Sequence, residues 1–441
     1  MKIAPTIVRN KLKSALNDLD SIKDLFVRNP GVDFSRNRKL PFISMFLHML
    51  KYTDKSLQNE ISSCYLPPGS LPVLSPTKSA FIQQRDKILP EAGYVLLRFF
   101  TDSLPFMKTY NGYRLLACDG TDVSIPRNED ESDYSVSTRK DRKSYNKLHL
   151  NGLFDVMNRV FVDCTVDPGT NINERAALAS MVSRLSDPDK AIILADRGYD
   201  GFNCIAHLLE SNVRFAVRAK DIASTGFLSS LHLPPDSDEF DISVSKKLFY
   251  RKPRGLTDDT DYIRLKRHTF DFLDPSSSDV YDISFRVVRV KLSNGSYECI
   301  VTNLPPDEFS KDDLRKLYHQ RWKIENAYRD LKYSVGLLHF HGKSADAVLL
   351  ELFCSLVFFN FSAYIAVLCN SLCHSSDTQY SYKVNFAIAV CSCRTYLHDS
   401  NSERELLHCF KHSSTPIRPN RQVRRGRIRE QPSREFCYRQ A

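Results

Sequence analysis

The sequence predicts an α/β protein: a layered α/β domain preceded by an all-helical region. Three observations carry this reading. From Tyr113 to Ala219, short apolar runs, two of them ending in Asp and Gly, alternate with helical stretches. From about 220 to 303, apolar residues alternate with polar and basic ones at the two-residue period of strands. Before both, residues 1 to about 108 show helical periodicity divided by turns. At 441 residues, 42% hydrophobic and 26% charged, the chain has a globular composition with room for two or three domains.

In order, Thr6 to Phe26 is an amphipathic run, Arg36 to Lys51 a basic start followed by an apolar segment, and Asp54 to Ser63 a short helix. After a loop rich in Pro and Gly, Ser75 stands where it can cap a helix carrying Lys78, Arg85 and Lys87. A short helix, a turn and a basic helix make the pattern of a DNA-reading helix-turn-helix, and equally of many helical bundles. RLLACDG is a short strand ending at Asp119 and Gly120, and residues 147–169 read as two strands about a turn at Met157 to Arg159. Glu174 to Leu185 is a helix; AIILADRGYDG is a buried strand ending at Asp196. A helix from Phe202 to Leu209 and the strand VRFAVRA complete the layer. Residues 220 to 303 form an antiparallel β insertion with a basic face, in which Asn294-Gly295 is a hairpin signal.

The stretch Tyr318 to Lys332 has no Pro or Gly and reads as one helix. With Tyr318 at zero, Arg321, Lys332 and Glu325 fall at roughly 300°, 320° and 340°, one narrow stripe. Leu317, Ile324, Ala327, Tyr328 and Leu331 form a neighbouring apolar stripe. The polar stripe has two readings: a surface for phosphate and a metal ion, or an ordinary solvated face with intrahelical ion pairs.

The formal charge is +10, and from Arg418 to Arg439 eight Arg face Glu430 and Glu435, a net of +6. A dense Arg tail points to nucleic acid as a partner; a solubilising tail is the alternative. The N-terminus lacks an apolar signal core, so secretion is not expected. Ala347 to Cys369 is very apolar, but Glu351, Asn360 and Ser362 interrupt it, which favours a buried helix over a membrane span. Twelve Cys read as scattered reduced thiols, although Cys369-x3-Cys373-His374 and Cys391-x-Cys393 carry a hint of zinc ligation.

Asp119 and Asp196 share a setting: each follows an apolar strand and precedes Gly within two residues. Ligand sites of open α/β sheets lie just outside the carboxyl ends of strands. Glu325 from the polar stripe adds a third carboxylate. Three close carboxylates repel one another, and hard divalent cations such as Mg²⁺ or Mn²⁺ relieve that repulsion. Two such ions suit phosphoryl transfer, with Tyr318, Arg321 and Lys332 left to hold phosphates. For each Asp alone, a turn residue at a strand end is an equal reading.

These residues carry a resemblance. Tyr318, Arg321, Glu325 and Lys332 match Tyr-x2-Arg-x3-Glu-x6-Lys; Asp119-Gly120-Thr121 matches DG[ST]; Asp196-Arg197-Gly198-Tyr199 matches D-R-G-Y. In these motifs the chain resembles bacterial insertion-sequence transposases of the DDE class, insertion-sequence-four family. The resemblance implies a ribonuclease H-like catalytic core over residues 109–355 with the β insertion at about 220–303, a helical end-binding domain over 1–108, and a basic C-terminal region over 356–441. It implies Asp119, Asp196 and Glu325 as catalytic metal ligands for two Mg²⁺ or Mn²⁺ ions. It also implies double-stranded DNA (element ends and target) as partner, a homodimer in the synaptic complex, a bacterial cytoplasmic location and cut-and-paste transposition. A metal-dependent nuclease without strand transfer, or a silent DNA-binding derivative, shares many of these features. Some relatives stack a flipped base on a Trp of the insertion. The one Trp here is Trp322, in the motif stretch, which leaves Phe249 or Tyr250 to substitute.

Overall fold

The computed structural model describes residues 4–36, 39–53, 55–65, 75–105, 108–137, 144–234, 238–253, 261–266, 269–292, 295–373, 380–398 and 402–418. Asn294, His374 and the Arg-rich tail from 419 onward lie outside them.

The chain begins with α1 (Pro5–Ser21), α2 (Phe42–Met49), α3 (Leu57–Tyr65), α4 (Lys78–Arg85) and α5 (Glu91–Asp102). In α1, Pro5 suits the first helical position, and Val8, Leu12, Ala15, Leu16 and Leu19 form the buried stripe. The cap of α4 is Thr77 rather than Ser75: the Thr77 hydroxyl accepts from the Ala80 amide at 3.2 Å. Ser75 lies two residues too early and meets the Ser62 hydroxyl instead. Arg85 is also not a DNA-reading side chain. It is buried and donates to buried Glu351 at 3.0 Å.

The sheet is built from β1 (Arg114–Ile125), β2 (Ser135–Val136), β3 (Tyr145–Asp155), β4 (Val160–Pro168), β5 (Ala191–Ala195) and β6 (Arg214–Ala219), with α6 (Glu174–Ser183) and α7 (Phe202–Glu210) as crossovers. In the parallel pairs β1–β5 and β5–β6 the central strand β5 is apolar and buried throughout, as a strand covered on both faces is. The β3–β4 hairpin turns at Met157–Arg159, where Asp155 accepts from the Met157 and Asn158 amides and Arg159 has φ 57°. In space these core strands run β4-β3-β1-β5-β6, with β3 antiparallel to its neighbours. This is a mixed α/β architecture whose large sheet fits a ribonuclease H-like core.

Two expectations change here. β1 does not end at Asp119: pairing with β3 carries it on to Ile125, so Asp119 sits mid-strand. The insertion joins the core sheet. Its strands β7 (Phe240–Phe249), β8 (Tyr262–Arg264), β9 (Tyr281–Lys291) and β10 (Tyr297–Thr302) extend the same sheet, because β10 pairs antiparallel with β6. The insertion is also not wholly antiparallel, since β7 and β8 run parallel. Its basic face is largely neutralised from within: Arg286, Arg289 and Lys291 pair with Asp241, Asp221 and Asp238.

The remaining elements are α8 (Lys311–His319), α9 (Lys323–Asp330), α10 (Ala345–Cys369), β11 (Tyr382–Val384), α11 (Phe386–His398), α12 (Glu403–His412) and β12 (Ser414–Pro416). α10 is long and apolar enough to cross a membrane, yet most of it is buried within the molecule, and the 355/356 boundary falls inside it. Two of its polar interruptions have partners: Glu351 holds Arg85, and Asn360 bonds both the amide and carbonyl of Phe161 and the Thr101 hydroxyl. α1 and α5 pack on α10, so the N-terminal helices share the central core.

Candidate active site

Register brings the first two carboxylates side by side. Ala117 of β1 faces Leu194 of β5 in a parallel pair. Two residues on in each chain stand Asp119 and Asp196, the latter just past the end of β5. A side-chain oxygen of Asp196 accepts from the Gly198 amide at 2.8 Å, which fixes the turn after the strand.

The motif stretch lies across β1. It is not one α-helix: α8 passes through a 3₁₀ turn (Gln320–Trp322) into α9, then a π turn (Leu331–Val335) closed by Gly336 at φ 100°. The tight and wide turns offset one another, and the polar stripe survives. Arg321 is buried and spans two carboxylates, donating through Nη1 to Asp119 at 3.4 Å and through Nη2 to Glu325 at 2.8 Å. The Tyr328 hydroxyl donates to the Asp119 carbonyl at 2.7 Å, a polar role beyond the apolar stripe assigned to it. Lys332 donates to the Thr121 hydroxyl and the Asp122 carbonyl, both at 2.7 Å. That leaves one of its three ammonium donors for a ligand. Tyr318 is buried and its hydroxyl has no hydrogen-bond partner among the described residues. Burial pushes that phenol up to about 12.

Electrostatics mark Asp119 as the strained member. Burial pushes its carboxyl up to about 6; Arg321 opposes this, while Asp196 and Glu325 add to it. Among the described residues no three His, Cys, Asp or Glu side chains stand close enough to form a ready-made metal cage. The donor set nonetheless fits a hard divalent cation, because its ligands are carboxylate oxygens and Asp119 feels the repulsion of both others.

A second polar group, which no motif marks, abuts the site. His149 on β3 bonds Asp122 through Nδ1 at 2.7 Å and Glu174 through Nε2 at 3.1 Å. A Cβ on Gly120 would lie 2.2 Å from His149 Nε2 and 2.6 Å from Glu174, and one on Gly198 would lie 3.4 Å from Glu174. Gly120 therefore makes room for His149 and Glu174, while the tighter neighbour of Gly198 is the Asp196 carboxylate, 3.0 Å from such a Cβ. Next to Glu174, Arg175 donates to the Gly198 carbonyl at 2.8 Å, tying α6 to the Asp196 turn. The paired glycines were the available signal, since Gly within a strand pattern marks close approach.

Phe249 and Tyr250 are not available to stack a base. Both are buried, and the Tyr250 hydroxyl accepts from the Phe270 amide at 2.9 Å. Trp322 is exposed, with the Arg321 guanidinium 5.0 Å from its ring. Of the cysteines hinted as zinc ligands, Cys369, Cys373 and Cys393 are buried.

Fold and site together define an α/β protein with an acidic centre where the motif helix crosses the middle of its sheet. The Transposase DDE domain matches residues 110–361, more than half of the chain, and the protein belongs to that family. A comparison with curated proteins found no significant match. Among solved structures the chain is similar to the cryo-EM structure of the piggyBac transposase synaptic complex with hairpin DNA, at 10% identity and a TM-score of 0.45, covering 91% of this chain and 82% of that one.

Proposed function

We propose that this chain is a DNA transposase of the insertion-sequence-four type, which cuts DNA at the inverted repeats of its element and joins the freed ends to a target. The observation that supports it most is the Arg321 bridge between Asp119 and Glu325, with Asp196 near enough to Asp119 to raise its carboxyl, within the matched family domain. Those three carboxylates would hold one or two Mg²⁺ or Mn²⁺ ions, which supply activation of the attacking oxygen and stabilisation of the leaving one.

The protein's own groups do the positioning. Arg321 holds Asp119 and Glu325 apart and keeps its donors in one plane, suited to a phosphate. The orphan Tyr318 hydroxyl is a buried donor awaiting an acceptor, and a DNA phosphate satisfies it. Lys332 has one donor left for the same purpose. In-line attack of water, then of a 3′-hydroxyl, exchanges one P–O bond for another and needs no redox partner. Residues 1–108 recognise the element ends, and two copies act together in a synaptic complex in the bacterial cytoplasm.

The test is Asp119→Ala, assayed for cleavage of an element-end duplex with Mg²⁺ and for binding of that duplex. Cleavage is expected to vanish, with affinity within a few-fold of the parent. Cleavage at the parent rate would remove Asp119 from the chemistry and the reading with it.

A further inference from the structure

On the flank of α9, Lys323, Asn326 and Asp330 project roughly 100–160° round the helix from Glu325. They line a cavity of about 550 Å³ that also takes in Lys108, Arg159, Arg329 and Lys383. Among the described residues Asp330 is the one acid in its wall, and it is committed to Arg159 at 2.9 Å. Five cations against one carboxylate leave +4 on the lining. The ion pairs among the described residues give Lys108, Lys323, Arg329 and Lys383 no carboxylate. The crowding is felt: burial, then the charges of Arg159 and Arg329, hold the Lys383 ammonium below its usual range against the pull of Asp330. Like charges gathered around a cavity are destabilising until an anion enters.

We propose that this cavity is a second phosphate site, separate from the acidic centre, that takes the phosphodiester backbone of DNA. The proposal rests on the reading that the protein acts on DNA. A polymer fits better than a free phosphate for two reasons. Thr415 lines the cavity, and Arg418, three residues on, is the first of eight Arg up to residue 439, so Arg-rich sequence follows directly on the cavity wall. The cavity and Glu325 also share one helix, about 10–12 Å across, so one DNA segment can touch both.

The experiment compares the full-length protein with its K323Q/R329Q/K383Q variant, measuring affinity for a random-sequence duplex across salt concentrations. Each lost phosphate contact removes about 0.9 from the slope of log affinity against log salt, so the slope should fall by roughly 2–3. The variant relieves like-charge repulsion and is expected to unfold at the parent temperature or above. If it does not fold, Lys383→Gln alone should lower the slope by about 0.9. An unchanged slope in a folded variant overturns the proposal. So does tripolyphosphate that raises the unfolding temperature of the parent, not of the variant, while the slope stays unchanged, since the ligand is then a free phosphate. A parent protein that binds no duplex at any salt removes the DNA-acting reading itself, an outcome distinct from a parent and variant that bind alike.

Discussion

Asp119 and Arg321 set the balance at the centre. A carboxyl pushed up to about 6 holds its proton more tightly in the folded protein than in the unfolded chain. Its sign is therefore the reverse of a salt-bridged Asp: its contribution to stability grows as pH falls from 7 through 6 towards 4, and above 6 it is a cost of up to about 3 kcal/mol. Asp119→Asn removes that cost. In metal-free buffer at pH 7 it is expected to stabilise the protein by roughly 1–3 kcal/mol while abolishing cleavage; calorimetry at pH 7 and pH 5 checks it, with the gain shrinking at the lower pH. Arg321→Lys keeps the charge but has a single nitrogen where Arg321 reaches Asp119 and Glu325 from two nitrogens of a planar fork. Cleavage on pre-formed end complexes is expected to slow at least about tenfold, a transition-state loss of about 1.4 kcal/mol. Parent rates would reduce Arg321 to an intrahelical ion pair.

Elements explain how much of this was legible. The motif spacing pointed to one face for Arg321, Glu325 and Lys332 even though the helix is broken, because a 3₁₀ turn and a π turn offset each other. The true length of β1 was hidden: Asp119-Gly120-Thr121-Asp122 has the composition of a strand end, and its pairing partner on β3 lies some thirty residues on. Glu174 and His149 had no spacing to betray them, since 25 residues separate them and only the packing of α6 against β3 joins them. Arg85 read as DNA-facing and the insertion as basic because sequence shows a charge and hides the carboxylate that answers it, Glu351 for Arg85 and Asp241 for Arg286. Gly120→Ala tests the packing of this layer. Its methyl has to displace His149 and Glu174, so a loss of about 1–3 kcal/mol in stability is expected, with a fall in cleavage. Denaturant unfolding checks the first, and a variant as stable as the parent would show that the His149–Glu174 pair yields freely.

At the scale of the molecule, the buried Arg85–Glu351 pair joins the N-terminal helices to α10. Removing one partner strands the other charge in the core, so Arg85→Ala is expected to cost about 3–5 kcal/mol. A surface-like loss below 1 kcal/mol would mean that the two regions separate easily. The same packing has a consequence in time. α5 ends at residue 102 and the helix that covers it ends at 369, so 267 further residues must be made before the cover is complete. At roughly 5–20 residues per second that is about 13–53 s of synthesis during which the apolar faces of α1 and α5 await their partner. Each new copy therefore spends most of its own translation half-wrapped, which makes the ribosome-bound chain, more than the finished protein, the form exposed to chaperones and proteases.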